Sequence, residues 1–324
     1  MRTAEFVSPM HPDKICDFIA DSILDAYLEK DKDSRCAIEV MGGHNLITIN
    51  GEVTSKTDID IEKVVRDIVG SNFKIISNIV KQSHEISRGV DNGGAGDQGI
   101  MIGYACDENE EMVPLEYYFA RNICNHIYKK YPYDGKVQVT LDHKGKSFNN
   151  ATIIASFQNV DSKTLEDTAR EWIDMNSTRF FRIFQYVVYT NTAGDWTQGG
   201  FDADTGLSGR KIVIDNYGPE APIGGGSFSG KDYTKVDRSG AYMARRIAVD
   251  LLKKYKAKEV YTKLAYAIGK RDPVMAVAII DGKEEKIKSY DLSPEGIYKF
   301  LKLDKVKFTQ TSNGGHFGRN FEWK

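Results

Sequence analysis

Between Gly224 and Ser239 the chain reads GGGSFSGKDYTKVDRS, a stretch that holds the residue types a polyphosphate site needs. Glycines let a backbone turn with positive φ and approach a ligand closely, and the free N–H groups at a helix start favour an anion. Lys231 and Lys235 add mobile positive charge, while Asp232 and Asp237 could hold a hydrated cation. The segment Gly225 to Lys231 almost spells the phosphate loop G-x-x-x-x-G-K-[ST]. Asp232 stands where that loop requires a metal-binding hydroxyl, which argues against an ordinary P-loop. The same residues would also make a glycine-rich turn with a solvated charged cap.

Similar charge recurs at other turns. Asp134 and Lys136 lie in YPYDGKVQV, Arg210 and Lys211 in GLSGRKIVIDNY, and His11 and Asp13 in HPDK. Each alone is consistent with a surface hairpin or a polar helix cap. Together, five basic residues beside glycines or turns, with Asp13, Asp237 and His11 available, describe a site for a polyanion carrying divalent cations.

The elements that must position these residues repeat along the chain. HPDKICDFIADSILDAYLEKD has apolar residues at helical spacing, with Pro12 where a helix can begin without losing a hydrogen bond. Strands are expected at Cys36 to Met41 and Leu46 to Val53, bridged by Gly42 and Gly43 and carrying Glu39 and Glu52. A helix, Asp58 to Val69, and a strand, Phe73 to Val80, follow. A glycine-bearing loop spans Lys81 to Gly99. The order returns as helix Leu115 to Tyr131, strands Val137 to Asp142 and Ala151 to Phe157, helix Ser162 to Met175 and strand Arg182 to Thr190. It returns again as helix Val236 to Tyr255, strands Val260 to Ile268 and Val274 to Ile280, helix Pro294 to Leu301 and strand Val306 to Gln310. The expected fold is α/β (α+β): three similar α-β-β-α-β domains at 1–101, 109–197 and 198–324.

Composition excludes other classes. With 44 Lys and Arg against 46 Asp and Glu over 324 residues, nothing indicates a general affinity for nucleic acid or anionic lipid. No apolar run is long enough to span a bilayer and MRTAEFVSP is no signal peptide, so no membrane association and a cytoplasmic setting are expected. Cys16, Cys36, Cys106 and Cys124 form no C-x-x-C pair and read as reduced and structural.

The motifs HPDK, GAGDQG, GLSGRK, GGGSFSGKD, KVDRS, YAIG and GHFGR, in this order, closely resemble the S-adenosylmethionine synthetase family from near the N-terminus to HFGRNFEW. The resemblance implies three similar α/β domains about a pseudo-threefold axis, with Mg2+ and K+ as cofactors. It also implies formation of S-adenosylmethionine from ATP and L-methionine and cleavage of the released triphosphate. Carried over by motif, His11, Lys136, Arg210 and Lys231 are the catalytic contacts to the triphosphate. ATP is held by these together with Asp134, Trp196, Asp204, Lys211, Lys235 and Ile268. Methionine is held by Glu52, Gln82, Asp97, Asp204 and Lys235. Asp13 and Asp237 would bind magnesium and Glu39 potassium. The family places its active sites between two subunits, so a homodimer with shared sites is implied, with a tetramer possible.

The chain departs from the family in three places. The usual Arg-Phe pair before the central glycines reads Asp195-Trp196, the loop from Gln82 to Asp97 is several residues shorter than the usual gating loop, and HPDK follows SPM. The altered pair would change adenine recognition, and the short loop would close less completely over the substrates. Two alternatives stand beside this reading: a phosphotransferase or triphosphatase that no longer uses methionine, and a noncatalytic nucleotide-binding subunit.

Overall fold

The computed structural model describes every residue except 84–89, 91, 145–146, 178–182 and 320. Strand β1 (Arg2–Val7) leads into helix α1 (Pro12–Lys30). His11 caps α1 with extended backbone, its Nδ1 accepting the Asp13 N–H at 3.2 Å, and Pro12 follows where no N–H is needed. Cys16, Ile19, Ala20, Ile23, Leu24 and Tyr27, spaced at three and four, form the buried stripe of α1.

Strands β2 (Arg35–Gly43) and β3 (Leu46–Thr54) form an antiparallel hairpin. Gly42 and Gly43 do not make its turn: they lie in β2 opposite Ile47 and Leu46, and the turn is His44–Asn45, with φ of 49° and 63°. Two residues at positive φ match the twist of the paired strands. Helix α2 (Ile61–Val69) then crosses over to β4 (Lys74–Val80), which pairs parallel with β3.

The second unit follows the same plan. After β5 (Gly99–Cys106), α3 (Leu115–Lys130) leads to the antiparallel pair β6 (Gly135–Lys144) and β7 (Ser147–Phe157). Helix α4 (Ser162–Ser177) crosses to β8 (Ile183–Thr190), parallel to β7. After the two-residue strand β9 (Gly206–Leu207), the third unit runs α5 (Val236–Tyr255), β10 (Glu259–Tyr266), β11 (Met275–Ile280), β12 (Lys283–Lys286) and α6 (Pro294–Phe300).

These strands make three four-stranded sheets, β4-β3-β2-β9, β1-β6-β7-β8 and β12-β11-β10-β5. Each sheet takes one strand from outside its own unit, so β9, β1 and β5 tie the three domains together. Neither β1 nor β5 is legible in the periodicity, and the domain boundary expected at 101 falls inside β5. The strand expected over Val306–Gln310 is corrected: the segment follows a 3-10 turn at Leu303–Lys305 and holds another at Phe308–Gln310. The physical reason lies in α1, where Asp25 accepts the backbone N–H groups of Phe308 and Thr309 at 2.8 and 3.0 Å, leaving no ladder to join. The third sheet is instead completed by the β11–β12 hairpin, turned at Asp281–Gly282 with φ of 48° and 81°.

Buried apolar side chains of all three domains merge into one main core, from Phe6 and Ile19 through Tyr117 and Phe157 to Tyr242, Phe317 and Trp323. All four cysteines are free and buried, and no helix among the described residues is long and apolar enough to cross a membrane.

Candidate active site

Helix α1 organises the site. Asp13, Asp17, Asp21 and Asp25 recur every four residues and so share one face. Each accepts backbone N–H groups from a distant loop. Asp13 takes Leu207 N–H at 2.8 Å, Asp17 takes Gly209 N–H at 2.8 Å, Asp21 takes Gly230 N–H at 2.8 Å, and Asp25 takes Phe308 and Thr309. One rigid helix therefore sets where the GLSGRK and GGGSFSGK segments lie.

At the first rung, Asp13 is fully buried and meets two cations, Lys211 Nζ at 2.5 Å and Arg210 Nη2 at 2.9 Å. Burial would raise its carboxyl, but hydrogen bonds from Lys211, the Leu207 N–H and Arg210 outweigh that and hold it below its ordinary value. His11, beside it, is pushed down to about 4 by burial, with the charge of Lys211 adding to the effect. Asp204 stands 4.0 Å from Arg210, and Lys136, which reaches Glu5 at 3.4 Å, is close enough to act on His11. Asp134 accepts the Gly200 N–H at 2.9 Å, and burial raises its carboxyl against that bond. The structure thus gathers His11, Asp13, Asp134, Lys136, Asp204, Arg210 and Lys211.

A second group lies across β2. Gly230, at φ 77°, passes so close to β2 that a Cβ would sit 2.1 Å from Ile38 O, and Ile38 N–H donates to Gly230 O at 3.1 Å. This clamp holds Lys231, whose Nζ lies 2.6 Å from Asp237 Oδ2. Burial raises the Asp237 carboxyl against the pull of Lys231, and Asp97 is near enough to raise it further. Glu39, on β2 between the two groups, accepts the Ser208 hydroxyl at 2.5 Å; burial raises it against that bond and Lys231.

The remaining expected residues are placed differently. Lys235 is buried with Nζ 2.8 Å from Asp232 Oδ1, a carboxylate that also accepts the Cys36 and Thr234 N–H groups. Glu52 is exposed on β3 and Ile268 exposed beyond β10. Gln82 Oε1 is buried without a partner among the described residues. Trp196 donates to Asn191 Oδ1 at 3.3 Å. Asp195 accepts from Ser162 Oγ at 2.7 Å and Asn191 Nδ2 at 3.1 Å, so its negative charge is engaged at the start of α4. Residues 84–89 and 91 of the shortened loop lie outside the described residues.

Sequence reading missed Lys14, Asp17, Asp21, Ser208 and Arg238. The aspartate spacing on α1 is the available signal, obscured because Asp17 and Asp21 sit among the apolar residues of the helix.

Carboxylates here fit metal ions of the hard, oxygen-seeking kind. Among the described residues no group of three or more His, Cys, Asp or Glu is arranged as a metal site. Magnesium carried on phosphates needs only one or two carboxylates, since phosphate oxygens and water complete its shell. At Asp237 the fit shows in the backbone: a Cβ on Gly226 would lie 2.2 Å from Asp237 Oδ1, so glycine keeps that oxygen open.

Comparison with solved structures gives the class. The structure of an unusual S-adenosylmethionine synthetase from Campylobacter jejuni superposes with a TM-score of 0.87 at 29% identity, covering 99% of this chain and 96% of that one. The protein is thus a three-domain α/β synthetase. Sequence profiles described as the N-terminal, central and C-terminal domains of S-adenosylmethionine synthetase match residues 1–84, 92–195 and 198–324. The S-adenosylmethionine synthase of Mycoplasmopsis pulmonis is 40% identical over 98% of this chain and 93% of its own length. That of Salinibacter ruber is 36% identical over 99% and 94%. The chain belongs to the S-adenosylmethionine synthetase family.

Proposed function

We propose that this protein is a methionine adenosyltransferase, forming S-adenosylmethionine from ATP, L-methionine and water with release of phosphate and diphosphate. The methionine sulfur attacks C5′ of the ribose, the C5′–O bond breaks, and the electron pair leaves with the triphosphate, which is then hydrolysed. A thioether carries no proton, so no general base is needed. The barrier lies on the leaving side, where charge gathers on oxygen and must meet fixed positive charge.

The observation that carries this reading is a set of three salt bridges on two carboxylates. Asp13 holds Arg210 and Lys211, and Asp237 holds Lys231. Each carboxylate assigned to magnesium is thus paired with cations assigned to the phosphates. An incoming metal–polyphosphate can exchange both partners at once, so no charge in the site is left uncompensated. In this assignment His11, Lys136, Arg210, Lys211 and Lys231 face the triphosphate, and neutral His11 donates a hydrogen bond without adding charge. Asp134, Trp196, Asp204 and Ile268 hold the nucleoside. Glu52, Gln82, Asp97 and Asp204 orient methionine, with Lys235 between the substrates. Bound at Asp13 and Asp237, Mg2+ supplies charge stabilisation to the leaving group; Glu39 with the Ser208 hydroxyl suits K+.

A homodimer with shared sites follows from the sheets. Met41, Ile76, Val80 and Leu207 on the first sheet, Ile154, Val187 and Tyr189 on the second, and Ile100 and Met275 on the third are 36–52% exposed. Glu39 and Lys136, each between buried neighbours, and Glu52, between half-buried ones, project from these same open faces. A second copy laid there would cover the apolar residues and close the site. We retain domains 1–101, 109–197 and 198–324 as the division of the chain, and a cytoplasmic setting, which four free buried cysteines favour.

The test incubates the protein with ATP, Mg2+ and K+, with and without methionine, and follows S-adenosylmethionine, diphosphate and phosphate by chromatography. Methionine-dependent product with equal diphosphate and phosphate is expected. Phosphate released without S-adenosylmethionine would refute the methionine site and leave a triphosphatase.

A further inference from the structure

Arg210 and Lys211 sit on a short segment whose two ends are fastened to a single turn of α1. Before them, Gly209 N–H donates to Asp17 Oδ1 at 2.8 Å. After them comes the one-turn helix Ile212–Asp215, and Asp215 Oδ1 accepts from Lys14 Nζ at 2.5 Å. Lys14 Nζ also donates to Asp17 Oδ2 at 2.9 Å. The link therefore runs Gly209, Asp17, Lys14, Asp215, and it brackets the two cations. Lys14 and Asp17 are 2% and 1% exposed, so neither can touch a substrate.

We infer that Lys14 and Asp17 are positioning residues that fix Arg210 and Lys211 for the leaving triphosphate, a role that rests on the phosphate-site reading above. Removing charge from either member leaves the others facing an uncompensated neighbour in a buried place, so the two ends of the segment move apart. A displacement of about 1 Å at a charge-stabilising group is enough to cost on the order of a hundredfold in rate.

A stabilising role alone would lower the folded fraction and leave turnover per folded molecule intact, which makes the alternatives separable. The experiment measures kcat, KM for methionine and inhibition by free tripolyphosphate in the intact protein carrying Asp17→Asn, Asp215→Asn, Lys211→Ala, or Asp17→Asn with Lys211→Ala. Thermal unfolding normalises each to folded protein. Asp215→Asn opens only the far end of the link and keeps the Lys14–Asp17 pair, so it serves if Asp17→Asn folds poorly. Expected are a loss of about 10- to 100-fold in kcat, weaker tripolyphosphate inhibition, an unchanged KM for methionine, and a double variant that loses clearly less than the product of the single losses. Unchanged kcat per folded molecule in Asp17→Asn and Asp215→Asn, or fully multiplicative losses, overturns the positioning role while a slow Lys211→Ala keeps the phosphate site. A Lys211→Ala variant at full speed removes the phosphate reading and the positioning role with it.

Discussion

Asp13 and Asp21 are the same residue type, two turns apart on one face of α1, each fully buried and each paired with a cation, yet the two pairs do different work. Asp13 faces Lys211 and Arg210, whose side chains are 17% and 47% exposed, so its partners can leave for a ligand. Asp21 faces Arg238 in a two-pronged pair at 2.8 and 2.6 Å, with both side chains sealed and Arg238 further bonded to Tyr242 and Lys231 O. What separates an exchangeable pair from a fixed one is the exposure of the partner. The carboxylate itself is buried in both.

The sharpest break in this comparison is Asp21→Ala. It strands the Arg238 guanidinium in the core and frees the Gly230 N–H, and the expected loss is about 3–5 kcal/mol, read as a lower midpoint in denaturant unfolding. A variant as stable as the parent would put Asp21 in the same class as Asp13.

Next in size is Lys231→Ala on the exchangeable side. Losing one preorganised charge contact should slow S-adenosylmethionine formation by roughly a hundredfold, with the unfolding midpoint nearly unchanged, because Asp237 can be solvated or protonated once its partner is gone. Near-normal turnover would withdraw Lys231 from the phosphate site.

The contrast also bears on what a single sequence can show. Helices α1 and α5 were legible because apolar residues at three-four spacing face one continuous core, and α5 spans Val236–Tyr255 as the spacing requires. The hairpin strands were legible for the same reason at period two. Strands β1 and β5 were not, since each completes a sheet whose other strands lie far away in the chain, and nothing local records that partnership. The 3-10 turn at Phe308–Gln310 reads as part of a strand because Val306 and Phe308 alternate; the deciding bonds come from Asp25, some 280 positions earlier. At the site, His11, Asp13, Arg210, Lys211, Lys231 and Asp237 were visible as charges at turns. Lys14, Asp17 and Arg238 were not, because a buried ion pair looks like a solvated charge until its partner is known.

His11 gives a smaller effect with a definite sign. Its folded value, about 4, lies below the ordinary 6.5. Between these values the unfolded chain binds a proton that the folded chain refuses, so the residue weakens folding progressively as pH falls from 6.5 toward 4 and does not above 6.5. His11→Asn should flatten that part of the stability–pH curve, and an NMR titration of the His11 ring in the free protein should show its midpoint near 4. A midpoint near 6.5 would mean that Lys211 and burial do not act on the ring, and the exchangeable pair at Asp13 would then be more open than the distances indicate.

The mildest test lies at the last rung. Asp25 is only half-buried and accepts Phe308 and Thr309 N–H groups, with the Thr309 hydroxyl at 2.9 Å, and among the described residues it forms no salt bridge. It resembles a helix-cap oxygen more than an ion partner, so Asp25→Ala should cost about 1 kcal/mol in unfolding experiments and leave turnover unchanged. If it costs as much as Asp21→Ala, partner exposure is not what grades the ladder, and the four carboxylates would act as one cooperative unit along α1. If the cost stays small while Asp21→Ala is severe, stability is concentrated where a guanidinium is sealed in. The two outer rungs are then free to serve other ends: Asp13 for exchange with a ligand, and Asp25 for holding a turn against the helix.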